Sequence, residues 1–293
     1  MTGLRRGGGR WRVVLRTGAL GYVALLVVVP VGSVFYRAFE HGVVAAWDGV
    51  TSSDGLHALW LTLVVVVIAV PLDTIFGVGV ALIVARHRFP GVWILDSLAD
   101  IPLAVSPVVV GLALILVYGQ GGWLGSTLAA WGIHVIFSLP GIVMASATVA
   151  LPYVVREVLP VLEEIGTEQE QAAQTLGGGK VAIFRRITLP SIRSGLVYGV
   201  TLTTARVLGE FGAVAIVSGN IEGKTQTMTL FVQDSVENLD PTAAYAGAVI
   251  LAVVAFAVLG VLGTGSRTRR RRAWRSASDP SPSDSATLLP STM

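Results

Sequence analysis

The sequence predicts an all-α polytopic membrane protein with six transmembrane helices. Apolar residues make up 53% of the 293 residues and charged residues only 13%, far from the average of soluble proteins. Several apolar runs approach or exceed the roughly 20 residues that a helix needs to cross a bilayer. The runs are continuously apolar, whereas the strands of a membrane β-barrel alternate. Arginines cluster at particular ends of the runs, which gives the spans a direction.

The six predicted spans are separated by short connections. Five arginines precede the first span, so this part of the chain could also be read as a secretory signal peptide. The run from Thr17 to Phe35 is long for a signal peptide and no small-x-small cleavage site follows it, so we expect an uncleaved span. The predicted spans cover residues 17–38, 58–85, 95–118, 136–155, 195–217 and 242–263.

Basic residues are concentrated in four segments that a six-span topology places on one side of the membrane. The connections on the other side contain a single basic residue, Lys224. Because connections rich in Lys and Arg remain in the cytoplasm, we expect both termini to be cytoplasmic. The four segments are the N-terminus, residues 86–88, residues 156–193 and the C-terminal tail.

This topology divides the chain into three parts. Residues 1–16 form a basic cytoplasmic N-terminus, and residues 17–265 form the transmembrane domain. Residues 266–293 are arginine-rich and then rich in Ser and Pro, which predicts a disordered cytoplasmic tail. The absence of cysteine excludes disulfides, thiolate metal sites and cysteine nucleophiles.

The polar stretch from Glu168 to Pro190 interrupts the apolar sequence on the predicted cytoplasmic side. Thr167 and Glu170 have the spacing of a capping box, which predicts that a helix begins there. Gly177–Gly179 predict its end, because glycine readily adopts the left-handed conformation of a helix C-cap. A second helical segment comes next, and one face of it is formed by Val181, Phe184 and Thr188.

The glycine run before Lys180 invites comparison with a phosphate-binding loop. That motif needs Gly five positions before its last Gly, and Ser or Thr after the Lys. Gln174 and Val181 occupy those two positions. We therefore do not expect this chain to bind ATP itself.

The polar stretch is similar to the cytoplasmic motif of ABC-transporter permeases. The family motif reads EAA, three residues, Gly, nine residues and I-x-L-P. Ala172–Ala173 are followed at this spacing by Gly177 and then by Ile187–Pro190. Gln171 replaces the first Glu of the motif, with Glu170 beside it. This departure weakens any role for a carboxylate at that position and leaves the shape of the motif intact.

The resemblance covers nearly the whole membrane part and is closest to the W-type (CysW-like) permeases of sulfate and thiosulfate importers. It implies the type I ABC importer permease (MetI-like) fold in the cytoplasmic membrane. Molybdate importer permeases share the GEFG region and the Pro-rich third span, but match less well around spans 1, 2 and 4. The stretches that carry the resemblance are RFPG at 88–91, residues 100–114, GGWLG at 121–125 and residues 209–227.

The resemblance also implies partners and a coupling site. In the family, the motif forms a coupling helix, here within the loop 156–193, that lies in a groove of a separate ATP-binding subunit. The implied complex has two ATP-binding subunits, a T-type permease as heterodimer partner and an extracytoplasmic sulfate- or thiosulfate-binding protein, in a lipid bilayer. Catalytic residues, cofactors, metals and nucleic acid are not expected. The implied coupling residues are Glu170, Gln171, Ala172, Ala173, Leu176, Gly177, Ile187, Leu189 and Pro190.

A few polar residues fall within the predicted spans. Arg206 and Glu210 are four residues apart in span 5, so on a helix they share a face and can pair. Charges at membrane depth are costly unless paired or hydrated, and a place on the anion pathway or gate and a buried packing pair are both possible. Ser106 and Pro107 either break span 3, presenting backbone N–H groups to an anion, or form an ordinary proline kink.

Three aspartates, Asp73, Asp96 and Asp100, do not suit the lining of an anion pathway. We expect them to cap helices or to pair with basic residues at the cytoplasmic end, such as Arg86 or Arg88.

The sequence thus predicts the permease subunit of an ATP-driven sulfate or thiosulfate importer, with no catalytic activity of its own. A molybdate or tungstate importer permease is the alternative within the same class. A stand-alone ion-coupled carrier or a membrane enzyme is the alternative from another class. An enzyme would need a cluster of His or carboxylates at membrane depth, whereas the four histidines are dispersed at span ends, at His41, His57, His87 and His134.

Overall fold

The computed structural model describes residues 8–87 and 89–277. Outside this range lie residues 1–7, Arg88 and residues 278–293. The expected pairing of Arg88 with an aspartate and the predicted disorder of the tail beyond residue 277 therefore also lie outside it. Within the described range, every regular element is a helix. The α-helices are α1 (Gly8–Val23), α2 (Val29–Phe39), α3 (Val43–Thr51), α4 (Ser53–Arg86), α5 (Val92–Ala104), α6 (Pro107–Tyr118), α7 (Gly125–Ala130), α8 (Leu139–Ile165), α9 (Glu168–Thr175), α10 (Lys180–Ile183), α11 (Leu189–Ser191), α12 (Arg193–Leu208), α13 (Gly212–Ser218), α14 (Met228–Glu237) and α15 (Pro241–Ala277). Two π-helical turns, Ala24–Val28 and Phe184–Thr188, join α1 to α2 and α10 to α11.

Four stretches of helix are long and apolar enough to cross a membrane. They are residues 14–39, α4, α8 and residues 241–262 of α15. Two further pairs, α5 with α6 and α12 with α13, reach that length when each bent pair is counted as one span. Counted in this way, the described residues hold the predicted number of six spans. The all-α membrane class is therefore confirmed.

The third predicted span is two helices rather than one. α5 ends at Ala104, and Val105 has an extended backbone with φ −96° and ψ 140°. α6 then begins at Pro107, a position where the missing N–H of proline costs nothing and its fixed φ favours a helix. Of the two interpretations of Ser106 and Pro107, the structure therefore shows a break and not a kink.

The C-terminal helix is longer than predicted. α15 continues beyond the predicted end of span 6 to Ala277, so residues 266–277 are helical where a disordered tail was predicted. The Ser- and Pro-rich remainder of that tail lies outside the described residues.

The chain divides into two compact units, each assembled from three separate parts of the sequence. Among the described residues, the first unit comprises residues 8–65, 111–142 and 210–254. The second comprises residues 66–87, 89–110, 143–209 and 255–277.

In the first unit, the start of α14 is fixed to α4 by a buried hydroxyl. Thr62 accepts a hydrogen bond from the backbone N–H of Met228 at 2.9 Å. Its own hydroxyl donates to the carbonyl of Ala58 at 2.8 Å. The side chain thus satisfies one of the N–H groups that a helix N-terminus leaves without a partner. Around it lies a core of Ala46, Val50, Ala58, Met228, Phe231, Ala243 and Ala246.

In the second unit, two glycines bring neighbouring helices against α8 at Val154. A Cβ atom on Gly77 of α4 would lie 2.7 Å from the Cβ of Val154. A Cβ atom on Gly199 of α12 would lie 3.2 Å from the Cα of the same residue. Val154 is fully buried. α4 and α12 can approach it this closely only because Gly77 and Gly199 have no side chain. The surrounding core contains Val78, Ala81, Ala99, Val154, Val155, Val158, Leu159, Leu162 and Ile192.

We expect Gly77→Val to destabilise the protein, because no rotamer removes the clash of its Cβ with Val154. Overpacking of this kind costs about 1–3 kcal/mol, which would lower the Tm of the protein purified in detergent by several degrees. Gly79→Val is the matched control, since it lies on the same helix and no atom comes within 4 Å of its built Cβ. Equal Tm values for the two variants would contradict the close approach of α4 and α8.

Candidate functional site

The predicted helix at the centre of the polar stretch is present as α9, Glu168–Thr175. Thr167 precedes it as predicted, but its side chain makes no capping hydrogen bond. The Thr167 hydroxyl instead accepts a hydrogen bond from Gln171 Nε2 at 3.1 Å. The predicted capping box is therefore wrong, because the Glu170 carboxylate that would complete it binds elsewhere.

The C-terminal end of α9 was predicted correctly. Gly177 has a φ of +81°, in the left-handed region. Its N–H donates to the carbonyl of Gln174 at 2.9 Å, and the N–H of Gly178 donates to the carbonyl of Ala173 at 2.9 Å. These two bonds form a Schellman motif, which satisfies carbonyls that a helix end otherwise leaves open.

The Glu170 carboxylate faces the interior of the second unit. Arg86, the last residue of α4, donates from Nε to Glu170 Oε2 at 3.1 Å and from Nη2 to Oε1 at 3.3 Å. Thr188 donates its hydroxyl proton to the same Oε1 at 2.7 Å. Arg86 also donates from Nη1 to the carbonyl of Leu162 in the last turn of α8, at 3.0 Å. The carboxylate therefore joins α9 to the end of α4 and to the π-helical turn, and Arg86 joins the end of α8 to them.

The opposite face of α9 and the turn after it are open. Gln171 and Ala172 are exposed, and Leu176 is 88% exposed. Val181, at the start of the next segment, is also exposed. A short helix with small residues and a protruding leucine has the shape that helix-in-groove docking requires.

The second helical segment is not the single amphipathic helix that was predicted. Four residues of α10 lead into the π-helical turn Phe184–Thr188, and three residues of α11 contain Pro190. Val181 is exposed whereas Thr188 is buried, so the predicted common face is not kept. The π turn causes this difference, because its i→i+5 bonds place one more residue in the turn than an α-helix would.

The aspartates of α5 pair with a residue that the sequence did not suggest. Arg156 of α8 donates from Nε to Asp100 Oδ1 at 2.6 Å, and its Nη2 contacts Oδ2 of the same carboxylate. Nη2 also lies 3.2 Å from Asp96 Oδ1. Both aspartates thus pair with a basic residue, as expected, but this residue is Arg156 and not Arg86, which binds Glu170. Arg88 lies outside the described residues.

Asp73 is not a helix cap. It lies within α4, is buried, and its Oδ2 has no hydrogen-bond partner among the described residues. The expectation for this residue was therefore wrong, and the described contacts assign it no basic partner.

Arg206 and Glu210 do not lie on one continuous helix. α12 ends at Leu208, so Arg206 is in its last turn and Glu210 comes after the helix end. The helical spacing on which the predicted pairing rested is therefore absent. Glu210 is buried, and its Oε1 accepts a hydrogen bond from the N–H of Ala213 in the first turn of α13, at 2.9 Å. This carboxylate caps α13.

At the break before α6, backbone N–H and carbonyl groups of neighbouring residues form hydrogen bonds with one another. Ser106 is exposed, and its carbonyl accepts hydrogen bonds from the N–H groups of Val109 at 2.9 Å and Val110 at 3.2 Å. Pro107 has no N–H to offer. Fewer N–H groups are thus open to an anion than a free helix N-terminus would present. No group of three or more His, Cys, Asp or Glu suited to a metal occurs among the described residues.

We expect Gly177→Ala to loosen the end of α9, because a left-handed residue with a Cβ costs about 1–2 kcal/mol. The amide of Gly178, which closes the Schellman motif, should then exchange its hydrogen faster by roughly tenfold. Gly179→Ala is the control, because Gly179 has a φ of −71° and open space around it. Unchanged exchange in Gly177→Ala would show that the motif does not hold this helix end.

The sequence of this chain is similar to the sequences of known membrane transport proteins. The family described as "Binding-protein-dependent transport system inner membrane component" matches residues 74–275. The chain is 49% identical over 241 residues to the sulfate transport system permease protein CysW of Synechocystis, which covers 82% of this chain and 87% of that protein. The Escherichia coli CysW protein is 41% identical over 236 residues, covering 80% of this chain and 81% of that protein. The CysT protein of Salmonella typhimurium is 37% identical over 254 residues, covering 86% and 92%.

A solved structure supports the fold independently. A chain of a bacterial ABC transporter involved in the import of alginate superimposes with a TM-score of 0.70 at 15% identity, covering 88% of this chain and 98% of that chain. The predicted type I ABC importer permease fold is thereby confirmed.

The chain belongs to the family of binding-protein-dependent transport system inner membrane components, and within that family it groups with the proteins named CysW. It is a multi-pass protein of the inner membrane and a transport permease, as the sequence predicted.

Proposed function

We propose that the protein is the W-type permease subunit of an ATP-driven importer of sulfate or thiosulfate. The observation that carries this proposal is the 49% identity over 87% of a protein named for sulfate transport. Two solved structures of lower identity come from an alginate transporter, which supports the fold and not the cargo. The sulfate names of the CysW relatives disfavour the molybdate or tungstate alternative.

In this proposal the chain carries no reaction of its own. Both termini and α9 face the cytoplasm, where two copies of an ATP-binding subunit hydrolyse ATP. A CysT-like permease forms the other half of the membrane channel, and an extracytoplasmic binding protein delivers the anion to the outer connections. The relatives named CysT support the permease partner, and the family description supports the binding protein. The ATP-binding subunits are inferred from the family resemblance.

The coupling step rests on α9 and the segment that connects it to α12. Leu176 enters a groove of the ATP-binding subunit, and Ala172–Ala173 allow close approach of the two surfaces. Gln171 contributes polar contact in place of the usual carboxylate. The segment that contains Ile187, Leu189 and Pro190 fixes the direction in which the chain returns to the membrane. Closure of the ATP-binding subunits then displaces α9 and, with it, the transmembrane helices.

The anion pathway is assigned to the breaks in the third and fifth spans. Arg206 attracts the divalent oxyanion, and Glu210 holds the start of α13 next to it in sequence. Ser106 and Pro107 form the corresponding break before α6. A purely structural role for Arg206 and Glu210 is the alternative, and the cap that Glu210 provides for α13 favours it for that residue.

Sulfate transport is tested by deleting the gene. The deletion strain should fail to grow on sulfate as sole sulfur source and recover when supplied with cysteine, because only the import of the anion is lost. A molybdate permease would leave growth on sulfate intact. Uptake by the chain alone, in liposomes without any ATP-binding subunit, would instead support an ion-coupled carrier.

Docking is tested at Leu176. We expect Leu176→Asp to abolish copurification of the ATP-binding subunit, because burial of a leucine contributes about 1.5–3 kcal/mol and a buried unpaired carboxylate opposes association. Leu239→Asp is the matched control, since both leucines are 88% exposed and the proposed topology puts Leu239 outside the cell. Retained copurification of Leu176→Asp would remove this residue from the docking surface.

A further inference from the structure

We propose that Glu170 and Arg86 form a clamp that makes α9 move as one body with the ends of α4 and α8. This inference rests on the proposed function and extends it, because it assigns the transmission of force to a contact inside the permease itself. Glu170 and Arg86 act here as positioning residues. The contact differs from docking, which uses the opposite, exposed face of α9.

The geometry of the clamp is that of a strong interaction. The guanidinium uses two nitrogens on the two carboxylate oxygens, at 3.1 Å and 3.3 Å, and such paired contacts fix direction as well as distance. The side chains are only 13% and 18% exposed, so solvent screens the charges less than at an open surface. The hydroxyl of Thr188 adds a third hydrogen bond to the carboxylate.

The clamp also satisfies groups that the helix ends leave open. Arg86 is the last residue of α4, where a positive charge opposes the negative end of the helix dipole. Leu162 belongs to the last four residues of α8, whose carbonyls have no intrahelical donor. Arg86 Nη1 donates to that carbonyl at 3.0 Å. One side chain therefore joins the ends of two long helices to α9.

Without this contact, α9 would be poorly connected to the rest of the unit. It has eight residues, too few to be stable as an isolated helix. Gly166, with a φ of +67°, precedes it, and Gly177, with a φ of +81°, comes after it. Its residues Gln171 and Ala172 are exposed, and the side chain of Gln171 binds Thr167, which precedes the same helix. The turns at Gly166 and Gly177 would let an unattached α9 rotate. A displacement of Leu176 would then rotate α9 without moving α4 or α8.

The clamp also accounts for the unusual sequence at the motif. The family position for the carboxylate is occupied by Gln171, which is exposed and binds Thr167. The neighbouring residue, Glu170, lies about 100° further round the helix and faces inward. The carboxylate therefore serves the permease's own helices in this chain, while the docking face is left uncharged at that position.

The test uses the complete complex reconstituted in liposomes, and measures sulfate uptake and ATP hydrolysis together. We expect Arg86→Gln to keep its ATP-binding subunit and to hydrolyse ATP, whereas the uptake per ATP falls by roughly five- to tenfold, the lower range of coupling between two sites. Glu170→Gln should lower the same ratio. Glu168→Gln is the matched control, because Glu168 is an exposed carboxylate in the same helical turn and should leave the ratio unchanged.

Charge exchange separates transmission from a general loss of structure. The double variant Arg86→Glu with Glu170→Arg should have a higher ratio than either of its two single variants, since the pair is restored in reverse although the bond to Leu162 is not. Two results would overturn the clamp. One is a parental uptake-to-ATP ratio in Arg86→Gln. The other is loss of the ATP-binding subunit from Arg86→Gln, as expected for Leu176→Asp, which would place the pair in docking.

A second measurement does not depend on the cargo. Hydrogen exchange at residues 168–175 should become faster in Arg86→Gln and remain parental in Glu168→Gln, because only the first releases α9 from α4. If the parental complex fails to import sulfate but this difference in exchange is present, the cargo assignment fails and the clamp stands. Equal exchange in both variants would overturn the clamp whatever the cargo is.

Discussion

The structure depends on a constraint of the lipid environment: a backbone polar group in hydrocarbon must find its partner within the protein. Every regular element in the described part of the chain is accordingly a helix. The constraint is most informative where helices stop inside a predicted span. At one break the carbonyl of Ser106 receives two N–H groups, and at the other the carboxylate of Glu210 receives the N–H of Ala213. Local groups thus replace the missing helical bonds, which is why a span can be interrupted at all.

Much of the fold was accessible from the sequence because it rests on local properties. The length of an apolar run determines whether a span exists, and this gave the helical class and the number of spans. Gly177 marked the end of α9 because only a left-handed residue completes that turn. Leu176 was named through the family resemblance and not from a local pattern, and the structure leaves its side chain exposed.

The remaining features depend on contacts between distant parts of the sequence, which no local pattern specifies. Arg86 and Glu170 are 84 residues apart, and Arg156 and Asp100 are 56 apart. The capping box failed for this reason: Thr167 and Glu170 had the right spacing, but a guanidinium is a stronger partner for the carboxylate than a backbone N–H. The break after Leu208 was missed because the spacing of two charges assumed a continuous helix.

The π-helical turn at Phe184–Thr188 marks the one place in its segment where the length of the chain can change. An α-helix advances by about 100° per residue, and a π turn contains one residue more than an α turn. Deleting one residue from this turn would restore the ordinary winding and leave the residues on either side facing nearly as before. Deleting one residue from α10 instead would rotate everything before the π turn by about 100° relative to Thr188 and α11. The segment after Gly177 therefore tolerates the loss of a residue within the π turn far more easily than a loss elsewhere.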